Sequence, residues 1–273
     1  FMRIAAQEVG AYWVAESRLV LAAVFLSLTA LWLKNSLQAT RYWRHYLVLG
    51  LFNSALPFLL FAYAAETLSA SLLSIINATA PLWGALIAAG LGRQELDWRR
   101  AVGLALGFVG VGVLVGMDSA VATSAAAIPV AAALVATFCY GIASTYAATA
   151  PSVGSFANAR GSLWASTLML LPAAFLVTPP TTPSPASLWS LIVLGVVCSG
   201  LAYILYFKLI EDDGATSALS VTFLIPLFGV LWGYLFLDEQ VGWHTLAGGM
   251  LVLGGTALVT GLLPQALRRR TTP

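Results

Sequence analysis

Apolar residues fill most of this chain in long runs, broken at intervals by short stretches of charged, polar, Gly and Pro residues. A helix that crosses a bilayer needs about 20 mostly apolar residues, because the hydrocarbon is roughly 30 Å thick and each residue rises about 1.5 Å. Cutting the sequence at its breaks predicts nine such helices, at residues 12–33, 42–62, 69–91, 98–117, 128–149, 157–177, 187–207, 214–236 and 243–263. The linkers 34–44, 92–100, 178–185 and 211–214 hold the turn formers and most of the charge. One run is itself interrupted, since INATAPLWG (Ile76 to Gly84) sets Asn77, Thr79 and Pro81 in the middle of a span. Pro81 lacks an N–H and frees a carbonyl one turn earlier, near Asn77, while Asn77 and Thr79 offer side-chain partners at that depth. A span broken in this way can line a wet cavity. Pro57 and Pro226 are the other mid-span candidates for helix kinks.

Composition agrees with the pattern. Hydrophobic residues make up 60% of the chain, charged residues 9%, and the mean hydropathy is +0.89, whereas an ordinary soluble domain carries roughly 25% charged residues. The lipid bilayer is therefore the expected partner, and nucleic acid is not. Cys139 and Cys198 both fall inside predicted spans and read as small apolar packing residues, so no metal site, disulfide or cofactor is expected from them. The start, Phe1 to Gly10, lacks the basic-then-apolar layout of a signal peptide.

Laying Pro81 on Pro226, an offset of 145 residues, exposes an internal repeat. Gly50 then falls on Gly195, Ser54 on Ser199, Glu66 on Glu211, Gly84 on Gly229, Trp98 on Trp243, Gly103 on Gly248 and Gly110 on Gly255. The expected organisation is a first repeat at 1–118, a second at 128–264 and a basic tail at 265–273. Projecting the second half back by 145 also requires a helix that would end near residue 4, so a ten-helix parent lacking its first helix here is the expectation.

Lys and Arg gather on the cytoplasmic side of membrane proteins. Assigning alternate loops to alternate sides puts Lys34, Arg41, Arg44, Arg93, Arg99, Arg100, Arg160, Lys208 and Arg268 to Arg270 together, eleven of the thirteen basic residues. The C-terminus is thereby expected in the cytoplasm. A repeat of five spans is odd, so its two copies run oppositely through the membrane, an architecture typical of secondary transporters whose site lies near the midplane.

The element at Pro81 to Gly84, the basic turn before Trp98, the Gly-rich GLALGFVGVGVLVG (Gly103 to Gly116) and the LDEQ of Leu237 to Gln240 before a Gly-rich last helix resemble the drug/metabolite transporter superfamily, EamA type. The resemblance implies an all-α polytopic membrane fold of ten helices in two inverted five-helix repeats, with both termini cytoplasmic. Within that family, bacterial inner-membrane exporters of amino acids, aromatic ones included, are the nearest sort. The chain departs from the family in the absent first helix, which there contributes to the central cavity.

Ser71, Ser74, Asn77 or Ala78, and Pro81 recur at three to four residues and share one face, with Thr79 beside them, while in the matching helix Ser217 and Ser220 share a face and Thr222, the counterpart of Asn77, lies before Pro226. Asn53, Ser54 and Phe58 match Ser199 and Tyr203 in the other repeat, and Tyr140, Ser144 and Trp164 complete the candidate wall of a central cavity. For any single Ser or Thr, helix packing is the competing reading, and for the aromatic residues an interfacial role. Glu16 and Arg18 are intramembrane charges two residues apart, pointing to different faces, and are candidates for coupling to a proton. Glu66 and Glu211 sit at span ends and read as loop-side or helix-start charges. A wall rich in aromatic, hydroxyl and amide groups suits a neutral or zwitterionic, partly apolar solute. No metalloprotease, nucleophile-elbow or phosphate-loop motif appears, so catalysis is not expected. The sequence therefore indicates a secondary carrier, compatible with a monomer, exporting small metabolites such as amino acids by alternating access. The competing readings are a carrier of sugars or nucleotide sugars and a lipid-scrambling or structural membrane protein. Close, sliding helix contacts are expected at Gly103, Gly107, Gly110, Gly248, Gly249, Gly254 and Gly255.

Overall fold

Nine helices follow one another along the described residues, one for each apolar run: α1 (Met2–Trp32), α2 (Ala39–Ala65), α3 (Ala70–Gly90), α4 (Trp98–Met117), α5 (Ala127–Ala147), α6 (Ser155–Leu170), α7 (Pro185–Asp213), α8 (Ala215–Leu237) and α9 (Trp243–Thr260). The computed structural model describes residues 1–34, 37–117, 126–150, 153–213 and 215–261, with the side chains at 207 and 210–220 excepted. The basic tail and the side chains of Glu211 and Ser220 lie outside the described residues. Six segments, α1 to α5 and Pro185–Tyr206 of α7, are each long and apolar enough to cross a membrane. In α6 the helical run is shorter than expected, because Pro172 opens a tightened turn at Leu171–Phe175.

The helix expected to begin at residue 12 starts in effect at Ala11. Gly10 breaks α1 with φ 79° and ψ 162°, a conformation costly for any residue with a Cβ. Beyond the break the Ala11 N–H, which has no partner within the helix, donates to Glu66 Oε1 at 2.8 Å. Glu66 is thus a helix-start charge, as its place at a span end suggests.

The helices sort into two compact units. One comprises Phe1–Thr67 and Tyr146–Val221; the other comprises Leu68–Thr145 and, from Thr222, the remainder of the described chain. Each takes helices from both sequence halves. In the first unit α1 packs against α2, α6 and α7, around a core of Ala15, Leu19, Ala22, Ala23, Leu26, Phe58, Ala159 and Leu163. In the second, α4 and α9 form the closest helix pair and α9 also packs on α3, with Leu82, Ala85, Leu104 and Val259 buried together.

Glycine decides the α4–α9 contact. A Cβ at Gly103 would sit 2.7 Å from Gly255 O, and one at Gly110 would sit 2.8 Å from both Gly248 O and Val252 N. Backbones approach this closely only where side chains are absent, the usual means of helix association in lipid. Gly107 meets Leu82 and Gly249 meets Ile75, whereas Gly254 faces nothing within 4 Å.

Candidate functional site

Two stretches of π-helix mark the first unit, at Leu51–Ala55 within α2 and Val193–Leu201 within α7. They hold Ser54 and Ser199, residues that the 145-residue offset pairs. Pro57 follows the first stretch, but Ala202 occupies the matching place after the second. The second is accompanied instead by the Ser199 hydroxyl, which donates to Leu194 O at 2.9 Å, five residues back. Wide turns of this kind recur at functional sites because they re-aim side chains.

Here they aim polar groups at α1. Arg18 Nε donates to Ser199 Oγ at 2.7 Å, and the guanidinium carbon lies 3.7 Å from the centroid of the Phe58 ring. Stacking on an aromatic face and a hydrogen bond together hold the cation in one orientation. Asn53 Nδ2 donates to the Tyr203 hydroxyl at 3.4 Å, Arg18 acts on that hydroxyl electrostatically, and Ser54, next to Asn53 in sequence, is buried on the wide turn. Trp164 Nε1 donates to Ser27 Oγ at 2.8 Å, tying α6 to α1. Of the sequence candidates, Arg18, Asn53, Ser54, Phe58, Ser199 and Tyr203 therefore form one constellation, with Trp164 packed on the same core. Ser27 was not among the candidates, since one serine in an apolar run carries no signal.

Glu16 stands apart from that cluster. It is only 4% exposed, and neither carboxyl oxygen has a hydrogen-bond partner.

In the second unit the break at Pro81 is resolved by neighbouring helices. The α3 helix stops at Asn77, turns through Ala78 and Thr79, and restarts at Ala80 with Pro81 in its first turn. Thr79 Oγ1 donates to Ile76 O at 2.7 Å and to Thr137 Oγ1 of α5 at 3.2 Å, while Thr256 Oγ1 of α9 donates to Ala78 O at 2.9 Å. Ala78 and Thr79 are buried, and Asn77 and Ser74 are half-buried. The freed backbone is met by hydroxyls rather than left open, the requirement for irregular backbone at membrane depth. Ser74 Oγ donates to Ser71 O and Ser144 Oγ to Gly141 O. Tyr140 and Thr222 are half-buried, and Ser144 is exposed. Pro226, unlike Pro81, lies inside an unbroken helix.

Two polar clusters were not anticipated. Glu239, from the LDEQ element, is buried and accepts from Ala70 N at 2.7 Å, Ser71 N at 3.0 Å and Ser71 Oγ at 2.6 Å, so it caps the start of α3. His45 is buried in α2, where its Nδ1 and Nε2 meet Tyr146 OH at 3.3 Å and Asn158 Oδ1 at 3.0 Å. The packing of α2 on α6 encloses the ring.

The sequence pattern of the EamA-like transporter family matches residues 1–116 and 127–261. The chain belongs to that family. The EamA-like family lies within the drug/metabolite transporter superfamily, in accord with the all-helical architecture, and its members' role is transport across a membrane. An uncharacterized transporter of Archaeoglobus fulgidus is 24% identical over 274 residues, covering 95% of this chain and 91% of that one. A probable terminal-alkyne amino-acid exporter of Streptantibioticus cattleyicolor is 25% identical over 205 residues, covering 73% of this chain and 67% of that one. A solved crystal structure shares the fold with a TM-score of 0.65 at 17% identity, covering 94% of this chain and 88% of the other. This EamA-like chain is accordingly a multi-pass membrane transporter.

Proposed function

We propose that this transporter is a secondary carrier exporting small zwitterionic or neutral, partly apolar metabolites, amino acids with aromatic side chains among them, by alternating access. The supporting observation is the constellation on α1, α2 and α7. It combines one oriented cation, Arg18, with the Phe58 ring and the Asn53, Ser54, Ser199 and Tyr203 side chains. A single guanidinium matches one carboxylate in charge and geometry, and an aromatic face with hydroxyl and amide groups suits an amphipathic body. Phosphorylated sugars and nucleotides would call for more positive charge than this cluster holds. Similarity to the probable terminal-alkyne amino-acid exporter of Streptantibioticus cattleyicolor supports the same class. The basic loops support a C-terminus in the cytoplasm and a bacterial inner membrane, and the pairing of residues at an offset of 145 supports two repeats, 1–118 and 128–264, as the inverted halves that exchange access.

The test is counterflow in proteoliposomes with labelled phenylalanine, other neutral amino acids, a sugar and a nucleotide sugar. The expected result is amino-acid flux in the wild type that falls about tenfold or more in R18Q, since a lost hydrogen-bonded charge contact is worth roughly 1.5–3 kcal/mol. It should also fall in Asn77→Leu. Flux of nucleotide sugar but not of amino acids would overturn the reading.

A further inference from the structure

Glu16 is a buried carboxyl group of the first unit that the solute site does not use. The other glutamates around it are engaged: Glu66 accepts from Ala11 N, and Glu8 accepts from Ser184 N at 2.8 Å and Ser184 Oγ at 2.9 Å. Glu16 has neither a hydrogen bond nor an ion pair among the described residues. It sits on a turn of α1 with Val14, Ala15 and Leu19, all fully buried. Arg18, two positions on, is turned to Ser199 and Phe58 on another face. An ionised carboxylate stripped of water and left unpaired is among the costliest groups to bury, several kcal/mol even after relaxation. The species that this packing accommodates is the neutral carboxylic acid. Yet a group that was always neutral and unbonded would contribute less than a leucine in its place, which makes a functional reason for retaining it the better account.

We propose that Glu16 is a proton-binding site of this transporter. Its carboxylate takes a proton from water when this turn of α1 is wetted from one side of the membrane. It holds the proton as the neutral acid in the packed arrangement described above, and returns it to water when wetted from the other side. Solute flux through the carrier is thereby linked to the proton gradient. The inference rests on the transporter reading and adds to it the coupling ion.

The titratable and charged groups on α1 and on the helices packed against it fall as follows. On α1, Arg3 is half-buried, Glu8 is bonded to Ser184 and Arg18 to Ser199, and Tyr12 donates its hydroxyl to Leu170 O at 3.0 Å. On α2, Arg41, Arg44 and Tyr63 are exposed, Tyr42 is half-buried, His45 lies against Tyr146 and Asn158, Tyr46 donates to Leu37 O and the Glu66 carboxylate accepts from Ala11 N. On α6, Arg160 interacts with Tyr46. On α7, Cys198, Tyr206 and Lys208 are exposed and Tyr203 faces Asn53 and Arg18. Of these, Tyr12 is in electrostatic contact with Glu16.

The test compares the wild type, E16Q and E16D in reconstituted membranes by two measurements. Infrared spectra should show the carbonyl stretch of a protonated, water-excluded carboxyl group in the wild type, shifted in heavy water and absent in E16Q. Phenylalanine flux measured with and without an imposed pH gradient should change several-fold in the wild type and in E16D, and by a ratio near unity in E16Q. A gradient response in E16Q equal to the wild type's, or a wild-type spectrum without the band, would overturn the proposal. The band together with a gradient-driven flux of another solute, but none of amino acids, supports Glu16 and overturns only the amino-acid assignment.

Discussion

Replacing Glu239 by Gln should destabilise the second unit by about 3 kcal/mol. In the wild type Oε1 accepts from Ala70 N, and Oε2 accepts from Ser71 N and Ser71 Oγ, at distances of 2.7, 3.0 and 2.6 Å. The glutamine keeps one carbonyl oxygen and turns the other acceptor into a donor, so the Ser71 N–H faces an N–H in a buried place. A hydrogen bond to a charged group contributes roughly 1.5–3 kcal/mol, and a lost one leaves its buried partner unsatisfied. Removing a negative charge from a helix N-terminus costs roughly 0.3–1 kcal/mol more. At about 2–4 °C per kcal/mol for chains of this size, the unfolding midpoint should fall by roughly 6–12 °C. The chain supplies its own reporter, because Cys139 lies buried in α5 of the same unit while Cys198 is exposed. In a Cys198→Ala background, a thiol-reactive fluorophore reads the midpoint at which Cys139 opens on heating. A fall of less than about 2 °C would refute the capping role, and a comparable fall in Glu239→Ala with none in Glu239→Gln would mean that packing rather than charge holds α3.

Three further outcomes can be read with the same thermal assay. Thr256→Val keeps the side-chain volume but leaves Ala78 O without its donor at 2.9 Å, and should cost about 1–2 kcal/mol; an unchanged midpoint would show that the α3 break is satisfied in another way. Gly110→Ala puts a Cβ 2.8 Å from Gly248 O and should cost about 1–3 kcal/mol, whereas Gly112→Ala, with nothing within 4 Å, should be neutral or slightly stabilising; equal effects would refute the close α4–α9 packing. Gly10→Ala forces a Cβ into φ 79°, ψ 162° and should cost about 1–3 kcal/mol, read as a lower unfolding midpoint of the first unit; an unchanged midpoint would show that the α1 break is not retained in the membrane.

Much of the architecture was legible before any coordinates. The nine apolar runs became nine helices because a membrane span is recorded locally, in a continuous length of apolar residues, and needs no distant partner to be recognised. The glycines of α4 and α9 were likewise readable as a contact surface, since small residues at helical spacing have few other uses in lipid. The site was legible only as a pool of candidates. The wide turns at 51–55 and 193–201 carry no consistent signal, for one precedes a proline and the other does not.

What the sequence by itself determined is the class of protein, its helices, its family and the residue types from which a site could be made. Only the tertiary structure decided which of them meet. Arg18 finds Ser199 at a separation of 181 residues and Glu239 finds Ser71 at 168, pairings that depend on helix packing and leave no trace in local composition. It also decided that Thr79 and Ala78 are satisfied by Thr137 and Thr256, and that the buried Glu16 carboxyl has no hydrogen-bond partner among the described residues. The physical reason is that hydrophobicity is additive along a chain, whereas the satisfaction of a buried polar group depends on what a distant helix brings to within about 3 Å of it.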